Sequence, residues 1–154
     1  MNTLINIFKY LRLMVNSSNY IEKYGTFPWH NAEHDHGDIH PDDRSKFIQF
    51  GGSLASIYHC TGQDRGYLVL QFGDLVFRGR PENFRVRPHM LKFEVNERVR
   101  VKNRDPEMIG AVYDVHWHFD RATPIYFLNV NGKKKTRWYF EDEMEKLGTP
   151  EGHI

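Results

Sequence analysis

The chain has 154 residues, of which 40% are apolar and 14% are aromatic, and its formal net charge is +1. This composition excludes a disordered chain, and the length fits one compact domain or two very small ones. The small net charge creates no overall field that would draw the whole molecule to nucleic acid or to a membrane. The single cysteine, Cys60, excludes an intramolecular disulfide and fits a cytoplasmic location, where thiols stay reduced.

Residues 1–15 carry apolar side chains at helical spacing and predict an amphipathic helix within an N-terminal segment, residues 1–19. Lys9 and Arg12 interrupt the apolar run, which is shorter than the roughly 20 residues that cross a bilayer. No A-x-A-like cleavage site follows it, so a signal peptide is not expected. The helix either packs against the rest of the protein or contacts a partner or a membrane surface.

Residues 24–43 are rich in turn-forming and acidic residues and predict a loop that carries several histidines. Imidazole and carboxylate groups are ligands that zinc and other divalent cations use. The loop is therefore a candidate metal site, the alternative being a solvated polar loop whose side chains cap turns. The candidate ligands are His30, His34, His36 and His40. The segment from His40 to Asp43 also predicts the start of a short helix that extends through Ile48.

From residue 54 onward, alternating apolar residues separated by turn signals predict strands. Two segments match at an offset of 59 positions: Tyr67, Gly73, Arg78 and Glu82 correspond to Tyr126, Gly132, Arg137 and Glu141. Each copy reads as a strand, a tight turn, a second strand and a short acidic turn, and Asn131-Gly132 is typical of a type I′ hairpin. The repeat predicts two small β units, residues 20–89 and 90–148, followed by a tail of residues 149–154.

Residues 92–147 resemble the Src-homology-type small β-barrels of KOW and Tudor-like modules. The resemblance is carried by Phe93, Val99, Val101, Gly110, Val112, Tyr126, Gly132, Tyr139 and Met144. These residues supply a first strand, a glycine that allows close strand crossing, a hairpin and a terminal turn. The likeness extends to an uncharacterised family of bacterial proteins. Together with the repeat and the N-terminal pattern, this resemblance predicts a mainly β protein with an N-terminal helix and two tandem small Src-homology-type barrels, either separate or sharing one core.

One predicted strand of the second unit has a polar face. Asp114, His116 and His118 alternate along it and share that face, whereas Val115, Trp117 and Phe119 are expected on the buried face. The three polar residues form a second candidate metal site, or else the polar exterior of a half-buried strand. Histidine titrates near neutrality, which leaves an acid–base role open, although no nucleophile is tied to these residues.

Basic and aromatic residues of the second unit form the candidate partner-binding surface. Arg98, Arg100 and Lys102 alternate along one strand and so project from one face. A second group follows the hairpin and consists of Lys133, Lys134, Lys135, Arg137, Trp138 and Tyr139. Such residues suit phosphate backbones and stacked bases, although lysines at a hairpin tip also keep a turn soluble and a sheet edge unpaired.

Small barrels of this kind usually bind other molecules and rarely catalyse reactions alone. We therefore expect a non-enzymatic module that recognises another protein, as an adaptor or by blocking its partner in the manner of small immunity and inhibitor proteins. RNA or DNA binding through the basic face of the second barrel is the alternative. A metal-dependent enzyme that uses the histidine loop is the third reading. No cofactor is expected beyond a divalent metal at the candidate sites, and no transmembrane segment is expected.

Overall fold

The computed structural model describes residues 19–28 and 37–147, which are mainly β. The chain divides into two compact units, Met1–Met90 and Leu91–Ile154. The predicted N-terminal helix, the tail and the candidate ligands His30, His34 and His36 lie outside the described residues. Within the described ranges, no helix has the length and apolar character that a membrane span needs.

The first unit is a five-stranded antiparallel sheet with the strand order β4-β3-β2-β1-β5. Its strands are β1 (Tyr24–Thr26), β2 (Ile57–Asp64), β3 (Tyr67–Phe72), β4 (Leu75–Gly79) and β5 (Arg85–Val86). A 3-10 turn, Pro41–Asp43, leads into helix α1, Arg44–Phe50, as the sequence predicted. The His40 ring caps that turn by accepting the backbone N–H of Asp42 at 3.1 Å. A second 3-10 turn, Pro81–Asn83, precedes β5.

Aromatic rings fill the core of the first unit. Phe77 lies at its centre, with ring centroids 4.6 Å from Phe47, 5.1 Å from Tyr58 and 5.9 Å from Phe27. This density of rings follows from the size of the unit, because large side chains fill a thin core with few residues. Cys60 is buried in β2, and its burial raises the pKa of the thiol to about 11, which makes it a poor nucleophile at neutral pH.

Residues 38–43 run along the outer edge of β4 and cover it. Ile39 forms an isolated antiparallel bridge with Gly79, and the backbone N–H of His40 donates to the carbonyl of Arg78 at 2.9 Å. The Asp43 carboxylate is buried and accepts both the backbone N–H and the Nε–H of Arg78, each at 2.8 Å. A sheet edge leaves backbone groups unpaired, and this edge-covering segment satisfies those of Arg78 and the N–H of Arg80.

The second unit is also a five-stranded antiparallel sheet, with the order β10-β6-β7-β8-β9. Its strands are β6 (Arg98–Val101), β7 (Met108–His118), β8 (Thr123–Val130), β9 (Lys133–Phe140) and β10 (Met144–Lys146). A 3-10 turn, Glu141–Glu143, precedes β10. Its core is formed by fully buried side chains, among them Phe93, Val99, Val112, Tyr126, Leu128 and Met144.

The two units share one topology. In each, four strands follow one another as a meander, and after a 3-10 turn the fifth strand returns to pair with the first. Among the described residues the outer strands of each sheet do not pair with each other. The prediction of a mainly β protein is therefore confirmed, and the structure shows two five-stranded antiparallel sheets.

The matched letters of the repeat do not occupy equivalent positions in the two sheets. Gly73 and Gly132 both lie in two-residue hairpin turns with positive φ, 56° and 79°. However, Tyr67 is only half-buried, whereas Tyr126, its partner in the alignment, is completely buried and donates to Glu141 at 2.6 Å. A shift of one residue moves a side chain to the opposite face of a strand. The strand order is therefore the same in both units, but residues matched in the alignment point to opposite faces of the two sheets.

Candidate functional site

Strand β7 presents a polar face on the side of the sheet that points away from the core. Asp114, His116 and His118 lie on this outer face and are half-buried, while Trp117 is buried on the other. A bulge between Val112 and Asp114 shifts the phase of the alternation, so Tyr113 and Asp114 in succession lie outside the core, and regular alternation resumes from Val115. The prediction that Phe119 also enters the core is wrong, because β7 ends at His118 and the Phe119 side chain, in the following turn, is 55% exposed.

Beside this face, three rings and an arginine form a cluster that we call the aromatic patch: His118, Arg121, Trp138 and Phe140. The Trp138 ring meets Phe140 edge-on at 5.1 Å, and the His118 ring lies 5.5 Å from Trp138. The Arg121 guanidinium stacks on Phe140 at 4.8 Å, and its backbone N–H donates to Nδ1 of His118 at 3.1 Å. These contacts fix each ring while Trp138 stays 37% exposed.

The outer face continues from the aromatic patch along β7 and β8. Nε2 of His116 lies 2.9 Å from Oδ2 of Asp114, and the His116 ring packs edge-on against Phe127. The Tyr113 hydroxyl donates to the carbonyl of Lys135 at 2.6 Å, which ties β7 to β9. Burial, and then the negative charge of Asp114, raise the pKa of Tyr113. This phenol therefore stays protonated and serves as a fixed donor.

The described residues contain no group of three histidine, cysteine, aspartate or glutamate side chains arranged to hold a metal ion. Asp114 and His116 bond to each other, but His118 turns towards the aromatic patch, so the three predicted ligands do not converge. His40 uses its Nδ1 to cap the 3-10 turn and packs its ring against Tyr67. Neither candidate site therefore gathers three metal ligands among the residues that the structure describes.

The predicted basic stripe on β6 is interrupted at its middle residue. Arg100 forms ion pairs with Glu107 and with Glu145, and the hydrogen bond to Glu107 raises the pKa of its guanidinium. Arg98 and Lys102 are exposed on either side. Because Arg100 is paired, it offers little charge to a phosphate backbone, and the basic stripe is not continuous. Binding of RNA or DNA through this face stays a prediction.

The hairpin group lies on β9, an outer strand of its sheet. Lys133 and Lys134 pair regularly with β8, but the register then breaks before Trp138. The ammonium of Lys134 lies over the Tyr113 ring at 5.4 Å, and Arg137 lies over the Tyr139 ring at 5.1 Å. A bulge in an outer strand both discourages pairing with a second sheet and re-aims its side chains.

The structure divides the predicted binding surface into two parts. Trp138 belongs to the aromatic patch, whereas Tyr139 is buried and lines a separate cleft with Lys102 and Arg137. Sequence reasoning missed Arg121, which follows β7 in a hairpin turn. Its position in the turn between β7 and β8 is the sequence signal that could have identified it, because the side chain of a turn residue can fold back over the same sheet.

One family model matches the chain over residues 15–145, that of a family of unknown function, DUF6960. The chain belongs to this family. Its match spans strands β1 to β9 and ends within β10, so it covers nearly all of both sheets. The predicted likeness to an uncharacterised family is thereby confirmed. No curated protein and no solved structure matches the chain.

Proposed function

We propose that this DUF6960 protein is a non-enzymatic binding module that recognises another protein through the aromatic patch of its second unit. The observation that carries the proposal is the state of Trp138: its ring is partly exposed on a sheet face and yet held by Phe140 and His118. Tryptophan and arginine are enriched among the residues that dominate binding energies. A ring that is already fixed loses little conformational freedom when a partner covers it.

The surroundings of the patch have the composition expected of an interface. Arg121 brings a positive charge into the patch itself, against the Phe140 ring, and Phe119 is a further exposed ring one residue beyond His118 in the chain. Apolar rings surrounded by charged groups are typical of protein-binding surfaces, where the centre becomes dry and the rim stays solvated. Exposed apolar side chains that cluster on one face are also less common than single ones on soluble proteins.

The resemblance to Src-homology-type small barrels is part of this proposal. Five short antiparallel strands and a terminal 3-10 turn support it. Gly110 supports it as well, since a Cβ there would lie 2.9 Å from the carbonyl oxygen of Asn129, so the strands approach closely only because this residue is glycine. Such modules present sheet faces and edges to their partners, as adaptors or as blocking proteins.

The test compares two truncations of exposed apolar side chains, Trp138→Ala and Leu54→Ala. Leu54 is 60% exposed and lies in the first unit, so it controls for a general loss of surface hydrophobicity. Each purified variant is cross-linked in a nuclease-treated lysate of its source cells, and the captured protein is then purified and titrated. We expect wild type and Leu54→Ala to bind it equally and Trp138→Ala to bind at least about tenfold more weakly. Equal affinity of all three proteins would refute the proposed surface.

A further inference from the structure

The second unit has another surface feature, which the proposed function does not use. It is a surface cleft of about 350 Å³ that we call the cationic cleft. Lys102 and Arg104, from the connection between β6 and β7, line it together with Arg137 of β9. Tyr139 contributes its ring, on which the Arg137 guanidinium stacks. The cleft therefore gathers basic groups from two segments that are distant in sequence.

The three cations of the cleft have no ion-pair partner among the described residues. The second unit does not lack carboxylates, since Arg100 is paired with Glu107 and Glu145. Two carboxylates even line the cleft without reaching ion-pair distance of its cations: Asp142 and Glu143. Glu143 instead accepts the backbone N–H of Phe140 at 3.1 Å, which fixes it in the 3-10 turn.

Like charges that share a small cleft repel one another, and a bound anion relieves that repulsion. Two guanidinium groups and one ammonium group supply the donors that tetrahedral oxyanions use, and stacking on Tyr139 holds one of them in place. The geometry points to a phosphate-binding site in the cationic cleft, for a phosphate group carried either by a free phosphorylated compound or by a nucleic-acid strand. It shares no residue with the aromatic patch.

The experiment titrates the full chain with pyrophosphate by calorimetry at low ionic strength. Arg104→Gln and Arg137→Gln each remove one cation of the cleft, and Arg98→Gln is the matched control. Arg98 is exposed on β6, does not line the cleft, and loses the same single charge. We expect each cleft variant to bind about tenfold more weakly, which is the effect of one charge-assisted hydrogen bond, and the control to stay within about twofold of wild type.

A single-stranded oligonucleotide of about 15 nucleotides separates the two sources of phosphate. If the natural ligand is a strand, the oligonucleotide binds with an affinity that falls steeply with salt, and pyrophosphate displaces it. If it is a free compound, pyrophosphate binds and the oligonucleotide does not compete. The proposal is overturned if neither probe binds saturably, or if Arg98→Gln weakens binding as much as the cleft variants do. Trp138→Ala should not affect either titration, which keeps this test apart from that of the aromatic patch.

Discussion

Replacing Asp43 with asparagine is the most direct test of how the first unit is held together. The Asp43 carboxylate is buried and accepts two hydrogen bonds from Arg78 at 2.8 Å and a third at 3.3 Å. The ammonium of Lys46 lies 3.4 Å away. Asparagine has nearly the same shape, so the substitution removes the charge and one acceptor without opening a cavity. The variant therefore isolates the electrostatic part of the contact.

The expected loss follows from the number and environment of these bonds. A hydrogen bond to a charged group contributes about 1.5–3 kcal/mol, and removing one partner of a buried ion pair costs about 3–5 kcal/mol. Two facts reduce that cost here: the Arg78 side chain is 26% exposed, and Asp64 remains 3.3 Å from its guanidinium. The asparagine carbonyl, in the place of Oδ2, also continues to accept the two 2.8 Å bonds from Arg78. We expect Asp43→Asn to lower the free energy of unfolding by about 2 kcal/mol.

Hydrogen exchange during a urea titration, read by mass spectrometry on peptides from β3 and β4, measures this change within the first unit. Asp74→Asn is the control, because Asp74 is exposed in the turn between β3 and β4 and makes the same chemical change. We expect the control to stay within about 0.5 kcal/mol of wild type. If Asp43→Asn matches the control, the ion pair does not stabilise the first unit and the reasoning is wrong.

The same pair of variants gives a pH dependence. Burial alone would raise the pKa of Asp43, but hydrogen bonds from the Arg78 side chain and backbone outweigh it and hold the pKa below its ordinary value. The folded state then binds this proton less readily than the unfolded state does, so the contribution is complete above about pH 4 and is lost as the pH falls through the folded-state pKa. The stability difference between wild type and Asp43→Asn should shrink over that acidic range.

Two further substitutions test the packing of each sheet. Tyr126→Phe should lower the free energy of unfolding by about 2 kcal/mol, because it removes the 2.6 Å bond from a buried phenol to the Glu141 carboxylate. Gly79→Ala should lower it by about 1–3 kcal/mol, because the added Cβ would lie 2.8 Å from the Phe27 ring inside the core. Urea denaturation followed by circular dichroism measures both changes.

Each of these substitutions has a control of the same chemical kind. Tyr67→Phe removes a phenol oxygen from a half-buried ring of the first unit, and Gly62→Ala adds a Cβ where no atom lies within 4 Å. Both controls should stay within about 0.5 kcal/mol of wild type. If Tyr126→Phe or Gly79→Ala is equally neutral, the corresponding contact contributes nothing to stability.

The strands and turns of this protein could be predicted because their signals are local. Asn131 and Gly132 both have positive φ in a two-residue turn, as their sequence indicated, and His40 caps the turn that it was expected to begin. The alternation in β7 placed Asp114 and His116 on one face and Trp117 in the core. Period-two patterns and turn chemistry act over a few residues, so one chain is enough to read them.

The partners of charged residues could not be predicted, because they come from other strands. The spacing of Arg98, Arg100 and Lys102 indicated one face, but only the register of β6 with β7 and β10 brings Glu107 and Glu145 to Arg100. The sequence predicted Lys102 and Arg137 as binding residues, but for the same reason it did not indicate that they line one cationic cleft. Its cations lie more than 30 positions apart in the chain, at Lys102 and Arg137, and the topology brings them to one cleft.

Arg78 and Arg137 show how one topology yields two roles. They correspond in the repeat, and each lies on the fourth strand of its sheet, which is an outer strand. Along β4, the edge-covering segment brings the Asp43 carboxylate to Arg78, so that arginine is part of the structure. No described segment pairs along the free edge of β9, so no carboxylate is brought to Arg137 in this way. Arg137 lines the cationic cleft instead.

Substitution by glutamine should therefore reduce stability in the first unit and reduce ligand binding in the second. Arg78→Gln should lower the urea midpoint of the β3 and β4 peptides, because Asp43 would remain buried with most of its hydrogen-bond donors removed. Arg137→Gln should leave the urea midpoint of the second unit unchanged and weaken pyrophosphate binding about tenfold. If both substitutions destabilised their sheets to the same extent, Arg137 would be a structural residue like Arg78. Arg137 would then not be available to bind a phosphate group in the cationic cleft.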